Sequence, residues 1–242
     1  MSRLKAIRLN GLTLRYRVVG RGRPMLLVHG NGEDHRIFSR TVRLLKAHFT
    51  CYLINSRGHG MSSRVNTFHY REMAEDMVLF LRKKNLEDVT FVGFSDGGII
   101  GLLAAAMTRR ITTLIACGAN RRPEGLRHFF RLFLRVYNFF RRDPLRQMLL
   151  KEPDITDQEL QRIQADTLII AGKHDLIKRE ETDEIAAKIP HAEEIILPGE
   201  SHTSYVVNSD KLGKIILKYL KNKADQPSPP SRQPIHRHVN PD

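Results

Sequence analysis

The stretch "DVTFVGFSDGGIIGLLAAAM", residues 88–107, sets one serine among glycines between two apolar runs. Its first part, "DVTFVG", is short, rich in β-branched residues and bounded by turn formers, so it reads as a strand; "GGIIGLLAAAM" reads as a helix. Gly93-Phe94-Ser95-Asp96-Gly97 therefore falls on a strand-to-helix turn. In so tight a turn a side chain two positions before or after the serine would meet neighbouring backbone, hence Gly93 and Gly97, and Gly98 relieves crowding against the next strand. Such a turn lifts the hydroxyl clear of the sheet at the amino end of a helix, whose partial positive charge favours an anion. Ser95 is the candidate nucleophile; the competing reading is an incidental serine in a glycine-rich turn.

Outward from this turn the chain alternates strands and helices. "PMLLVHG", "CYLIN", "DVTFVGF", "ITTLIACG", "DTLIIAG" and "AEEIILPG" are short apolar runs ending in turn residues. Continuous rather than alternating apolar runs belong to strands covered on both faces, which predicts parallel pairing with crossover helices. Helices are expected at about 34–47, 70–84, 97–108, 179–189 and 208–222. Ahead of these, "KAIRL" and "LTLRYRVV" form an antiparallel hairpin about Asn10-Gly11, a dipeptide that accepts positive φ. The expectation is an α/β fold with a mostly parallel, eight-stranded sheet in one domain, residues 1–223. More than forty residues separate the strand ending near Gly118 from the one starting near Asp166, so residues 119–164 read as a helical insertion, a lid. From Ala224 to Asp242 the proline-rich polar composition predicts a disordered tail, in which His236 and His238 read as solvated.

Composition narrows the classes. The apolar fraction of 41% and charged fraction of 27% over 242 residues are those of a globular domain. Cys51 and Cys117 lie far apart in apolar stretches, without disulfide or metal spacing. No apolar run reaches membrane-span length and the amino-terminal segment lacks a secretory apolar core, so a cytoplasmic protein is expected. The net charge of +14 is concentrated: residues 109–146 hold ten arginines against Glu124 and Asp143. Charge without a recognition motif predicts no specific nucleic-acid partner.

A serine hydroxyl needs a base to take its proton and a carboxylate to orient that base. Asp175 follows the strand "DTLIIAG" and His202 follows "AEEIILPG", both on the rim that bears Ser95, in the order serine, acid, histidine. His174 neighbours Asp175 but lacks a second strand end, His191 precedes a strand, and Asn120 is no carboxylate. An oxyanion would need backbone donors. The amide of Asp96 is one, and the amide of Asn31 in "HGNG" is the second, with His29 bracing loops. No metal or organic cofactor is expected.

"HGNG", "NSRGHGMSS", "GFSDGG", "GKHD" and "GESH", in this order and spacing, resemble an α/β-hydrolase of the serine-hydrolase type over roughly residues 5–222. The elbow "GFSDGG" is similar to that of valacyclovir-hydrolase-like esterases. The resemblance implies carboxylesterase-like cleavage of a small-molecule ester, thioester or activated amide through an acyl-enzyme. Carbon–carbon bond hydrolysis or acyl transfer on the same residues is the alternative, and a non-catalytic ligand-binding protein on this fold is the alternative of another class. Many members carry aspartate where this chain has Asn55, which bears on how that loop is braced.

Within the insertion, "LRHFFRLFLRVYNFFRR" spaces Phe129, Phe133, Val136 or Tyr137 and Phe140 by three and four, a stripe on one helical face. Phe129, Phe133 and Tyr137 are the substrate-binding candidates, closing over an acyl pocket while arginines meet water or an anionic substrate group. The same pattern also suits a helix that merely packs on the domain, or a basic amphipathic helix at an anionic lipid surface.

Overall fold

Two layers of helices and the sheet between them follow from strands that are apolar on both sides. The computed structural model describes residues 3–225. Its eight strands are β1 (Lys5–Leu9), β2 (Leu12–Gly20), β3 (Arg23–Val28), β4 (Phe49–Asn55), β5 (Val89–Phe94), β6 (Ile111–Cys117), β7 (Asp166–His174) and β8 (Ala192–Ser201), in the order β1-β2-β4-β3-β5-β6-β7-β8. Only β2 runs against its neighbours, and every pairing from β4 to β8 is parallel. Asn10 and Gly11 take φ of 43° and 77° at the β1–β2 turn, the left-handed pair that a two-residue hairpin requires.

Successive residues of the central strands feed opposite cores. Leu26 and Val28 of β3 join Phe91 and Leu114 on one face; Met25 and Leu27 join Val92 and Ile115 on the other. The first core is closed by α2 (Tyr70–Lys83), α3 (Asp96–Met107), α6 (Asp157–Arg162) and α7 (Arg179–Lys188); the second by α1 (Ser39–Leu45) and α8 (Lys211–Asp225). Period explains which face each helix buries: Met73, Met77, Phe80 and Leu81 of α2 and Leu212, Ile216 and Tyr219 of α8 recur at three and four. Leu26 and Leu27 are wholly enclosed, and truncating a residue so placed costs about 2–5 kcal/mol.

The strand order fixes where a cleft must form. From β3 the chain crosses by α1 to β4 on one side, then returns by α2 to β5 on the other side of β3. The loop after β3 and the turn after β5 therefore part company at their carboxyl ends, a topological switch point that opens a crevice.

Between β6 and β7 the insertion holds a 3-10 turn at Pro123–Gly125, α4 (His128–Arg141), α5 (Pro144–Lys151) and α6. Asp143 caps α5, its carboxylate accepting from the Leu145 amide with Pro144 at the first helical position, and Thr156 with Glu159 forms a capping box for α6. Ala224 and Asp225, expected at the start of the tail, are the last residues of α8; residues 226–242, His236 and His238 among them, lie outside the described residues.

Candidate active site

Ser95 occupies a backbone conformation that few L-residues adopt, φ 53° and ψ −115°. Its own amide is tied to the Cys117 carbonyl at 2.7 Å and its carbonyl receives the amides of Gly98 and Ile99. Glycine is demanded on both sides. A Cβ on Gly93 would lie 2.0 Å from the Gly97 carbonyl oxygen, one on Gly97 would lie 2.0 Å from the Val28 carbonyl oxygen, and one on Gly98 would crowd Ala119 just past β6. The serine is thus held out at the end of β5 by backbone contacts, not by its own side chain.

The loops after β7 and β8 bring the other two candidates to it. His202 Nε2 is 3.1 Å from Ser95 Oγ, and His202 Nδ1 is 2.6 Å from Asp175 Oδ1. Asp175 also accepts the amides of Ile177 at 3.0 Å and Gly172 at 3.2 Å. Burial works to raise this carboxyl, and His202 with the two amides outweighs it, so the net direction is down and the group stays ionised. Gly118, at φ 60°, lets the imidazole approach: a Cβ there would stand 2.8 Å from His202 Cε1. The Phe94 ring lies 5.0 Å from the imidazole. His174 and His191 are exposed, and the Asn120 side chain donates to the Arg122 carbonyl instead.

The loop after β3 presents three consecutive amides. That of Gly30 donates to Glu33 Oε2 at 2.9 Å and that of Gly32 to His59 Nε2 at 3.1 Å. Among the described residues the Asn31 amide has no protein acceptor, and neither does the Asp96 amide, which as the first residue of α3 has no intrahelical one. The Asn31 side chain donates to Asp96 Oδ2 at 2.9 Å, which clips the two segments together. Asp96 Oδ1 accepts from the Tyr70 hydroxyl at 2.8 Å. Burial pushes the Asp96 carboxyl up, with Tyr70 and Asn31 acting against it. Burial and the nearby Asp96 charge hold the Tyr70 hydroxyl well above its usual range, so it remains a donor.

Two imidazoles, those of His29 and His59, brace this loop from behind. Ser56 donates its amide to His29 Nε2 at 3.1 Å, so His29 carries its proton on Nδ1 and gives it to the Gly30 carbonyl at 2.8 Å. His59 does likewise, accepting from Gly32 and donating to the Arg57 carbonyl at 2.8 Å. Burial, then the neighbouring His59, pushes His29 down to about 3. The Asn55 side-chain carbonyl accepts from the His35 amide at 3.0 Å and faces His35 Nδ1 at 2.8 Å, which ties the two loops without a carboxylate at this position.

Above Ser95 lies a small cleft of about 240 Å³, partly open to solvent. Asn31, Glu33 and Asn120 are its polar walls, and Phe130, Phe133, Leu134 and Leu149 its apolar roof, with Arg146 at the side. Burial raises the Glu33 carboxyl. The Arg146 guanidinium lies 4.6 Å from the Tyr137 ring centre and pairs with Asp143. Of the three roof residues expected from the stripe, only Phe133 lines the cleft. Phe129 does not, being 62% exposed, and Tyr137 reaches the site only through its contacts with Phe133 and Arg146. The stripe looks outward, because a helix apolar around most of its girth can seat a different face, here Phe130 and Leu134. Among the described residues no cluster of His, Cys, Asp or Glu is arranged to hold a metal ion, and both cysteines are buried free thiols.

Strand order, elbow and cleft together define the class: the chain belongs to the α/β-hydrolase fold family, whose model matches residues 23–147. Within it the chain is 27% identical over 249 residues to the serine hydrolase BPHL of Homo sapiens, covering 89% of this chain and 85% of that one. It is 32% identical over 126 residues to a putative carbamate hydrolase, RutD, of Azorhizobium caulinodans, of which it spans 48%. An esterase from Thermogutta terrifontis superposes with a TM-score of 0.75 at 22% identity, covering 91% of this chain and 99% of that one, a likeness of fold.

Proposed function

We propose that the protein is a serine hydrolase that cleaves a small-molecule carboxylic ester, thioester or activated amide through an acyl-enzyme. The observation that carries this reading is the unbroken relay from Ser95 Oγ to His202 at 3.1 Å and on to Asp175 at 2.6 Å. His202 takes the Ser95 proton as the oxygen attacks the carbonyl carbon, and Asp175 holds the imidazole in the tautomer that leaves Nε2 free to accept. The amides of Asn31 and Asp96 receive the oxyanion, both lacking an acceptor among the described residues and both clipped in place by the Asn31–Asp96 side-chain bond. Collapse returns the proton from His202 to the leaving group, and water, deprotonated by the same imidazole, releases the acyl group. The insertion acts as a lid whose Phe130, Phe133 and Leu134 receive the apolar part of the substrate. The serine hydrolase name of the human relative supports the same class.

Replacing Ser95 with alanine tests the reading. Turnover of p-nitrophenyl esters falls by at least about 10⁴-fold and labelling by a fluorophosphonate disappears, with an unchanged thermal midpoint. A variant that keeps turnover removes Ser95 from the chemistry, and a native chain that neither turns over esters nor takes the label is a ligand-binding protein instead.

A further inference from the structure

The outer face of α4 is the least expected surface of the molecule. Phe129, Leu132, Phe133, Val136, Phe139 and Phe140 share one side of the helix and are 62, 53, 55, 52, 79 and 76% exposed. Large apolar side chains scattered singly on a surface are ordinary, but six in one contiguous ridge mark a place where water is meant to be displaced. Leu134 is the only buried residue of this helix, so the ridge adds nothing to the core beneath it.

Charge decides what covers it. From residue 127 to residue 146 the chain has six arginines and a single carboxylate, Asp143. Arg146 is paired with Asp143 and Arg131 with Glu124, which leaves the exposed Arg135, Arg141 and Arg142 without a carboxylate partner among the described residues. These flank the ridge and its carboxyl end. An apolar helical face edged by guanidinium groups, on a chain of net charge +14, fits a surface that is apolar inside and anionic at its boundary. A second copy is the weaker fit, because a two-fold contact through the ridge would bring these arginines against their own images. Residues 226–242 are a weaker fit too: their only aliphatic residues are Ile235 and Val239, and they add Arg232 and Arg237.

We propose that α4 is an interfacial helix that docks the protein on anionic lipid surfaces, with Phe139 and Phe140 entering the acyl region and Arg135, Arg141 and Arg142 meeting lipid headgroups. Phe133 belongs to both the ridge and the cleft wall and stands against Phe130, their ring centres 6.3 Å apart. Docking therefore sets the cleft mouth beside the lipid surface. The proposal goes beyond the hydrolase reading and stands whether or not Ser95 is a nucleophile.

Vesicle flotation with the full chain is the test, using phosphatidylcholine alone and phosphatidylcholine mixed with phosphatidylglycerol. Expected is binding to the mixed vesicles, weakened by salt, and little to phosphatidylcholine alone. The double variant F139S/F140S binds the mixed vesicles at least about ten-fold more weakly, with an unchanged thermal midpoint because neither ring packs in the core. The triple variant R135E/R141E/R142E loses the preference for the anionic lipid. Absence of binding to the mixed vesicles overturns the proposal. So does undiminished binding by F139S/F140S, which would assign the effect to net charge alone. A concentration-dependent dimer in light scattering that F139S/F140S abolishes would give the ridge to a second copy and overturn it equally.

Discussion

Helices α3 and α4 are both built mainly of apolar residues, and they are placed in opposite ways. In α3, "DGGIIGLLAAAM", ten of twelve residues are buried; in α4, "HFFRLFLRVYNFFR", one of fourteen is. Part of the difference is composition, α3 being apolar throughout while α4 alternates aromatic residues with arginines, and part is placement. α3 has no charge after Asp96 and carries glycine and alanine where it must lie close to strands, so it fits between the sheet and its neighbouring helices. Arginine recurs at 127, 131, 135 and 141 along α4, and among the described residues no second layer covers its outer face. An apolar residue is buried only where some other surface is available to cover it, and sequence reports the first condition without the second.

Breaking the α3 side of this comparison gives the large effects. Asp175→Asn removes the carboxylate that orients His202, and kcat/KM toward a p-nitrophenyl ester falls by about 10⁴-fold with little loss of stability; a loss below ten-fold would mean that Asp175 does not set the imidazole. Gly97→Ala drives a Cβ to 2.0 Å from the Val28 carbonyl, and since backbone cannot yield as a side chain can, urea unfolding should show a loss above about 4 kcal/mol or no folded protein. A stable Gly97→Ala chain would show that the elbow can relax.

On the α4 side the effects shrink and split by face. Leu134→Ala, at the one buried position, costs about 2–3 kcal/mol, whereas Phe140→Ser on the ridge stays within about 0.5 kcal/mol. Equal costs for the two would erase the distinction drawn between the faces of this helix.

The last effect is a slope, and it again belongs to the rigid side. His29 is neutral when folded, its pKa lowered to about 3 by burial and by His59. The unfolded chain binds a proton there below about pH 6.5, and the folded chain does not until near pH 3. Stability from this group is therefore intact at neutral pH and drains as pH falls, by up to about 1.4 kcal/mol per pH unit. His29→Gln keeps a donor and an acceptor but no titration, so the dependence of unfolding free energy on pH between about pH 6 and pH 4 should flatten by that amount. An unaltered slope would mean that His29 is not the group that titrates.

Much of the site could be read before any coordinates, because the residues announce themselves locally. Glycines at 93 and 97 about a serine, a strand before and a helix after, encode a turn whose sterics admit little else; Asp175 and His202 follow the strands β7 and β8 that their apolar runs predict. Tyr70 and Glu33 carried no such signal. Tyr70 sits at the start of an ordinary amphipathic helix, and its hydroxyl meets Asp96 from 26 positions away. Glu33, three residues past Gly30, closes the loop on itself and lines the cleft only because the loop folds back.

The sequence alone determined the parallel α/β sheet, the strained elbow and the rim on which serine, carboxylate and histidine would stand, since each depends on backbone sterics and apolar period within a few neighbouring residues. The tertiary structure alone decided which face of α4 turns inward, that Phe130 rather than Phe129 roofs the cleft, and that Asn31 and Tyr70 share the Asp96 carboxylate. Those outcomes depend on which surfaces from distant parts of the chain arrive opposite one another, and burial is a property of such pairs of surfaces, which no single stretch of residues contains.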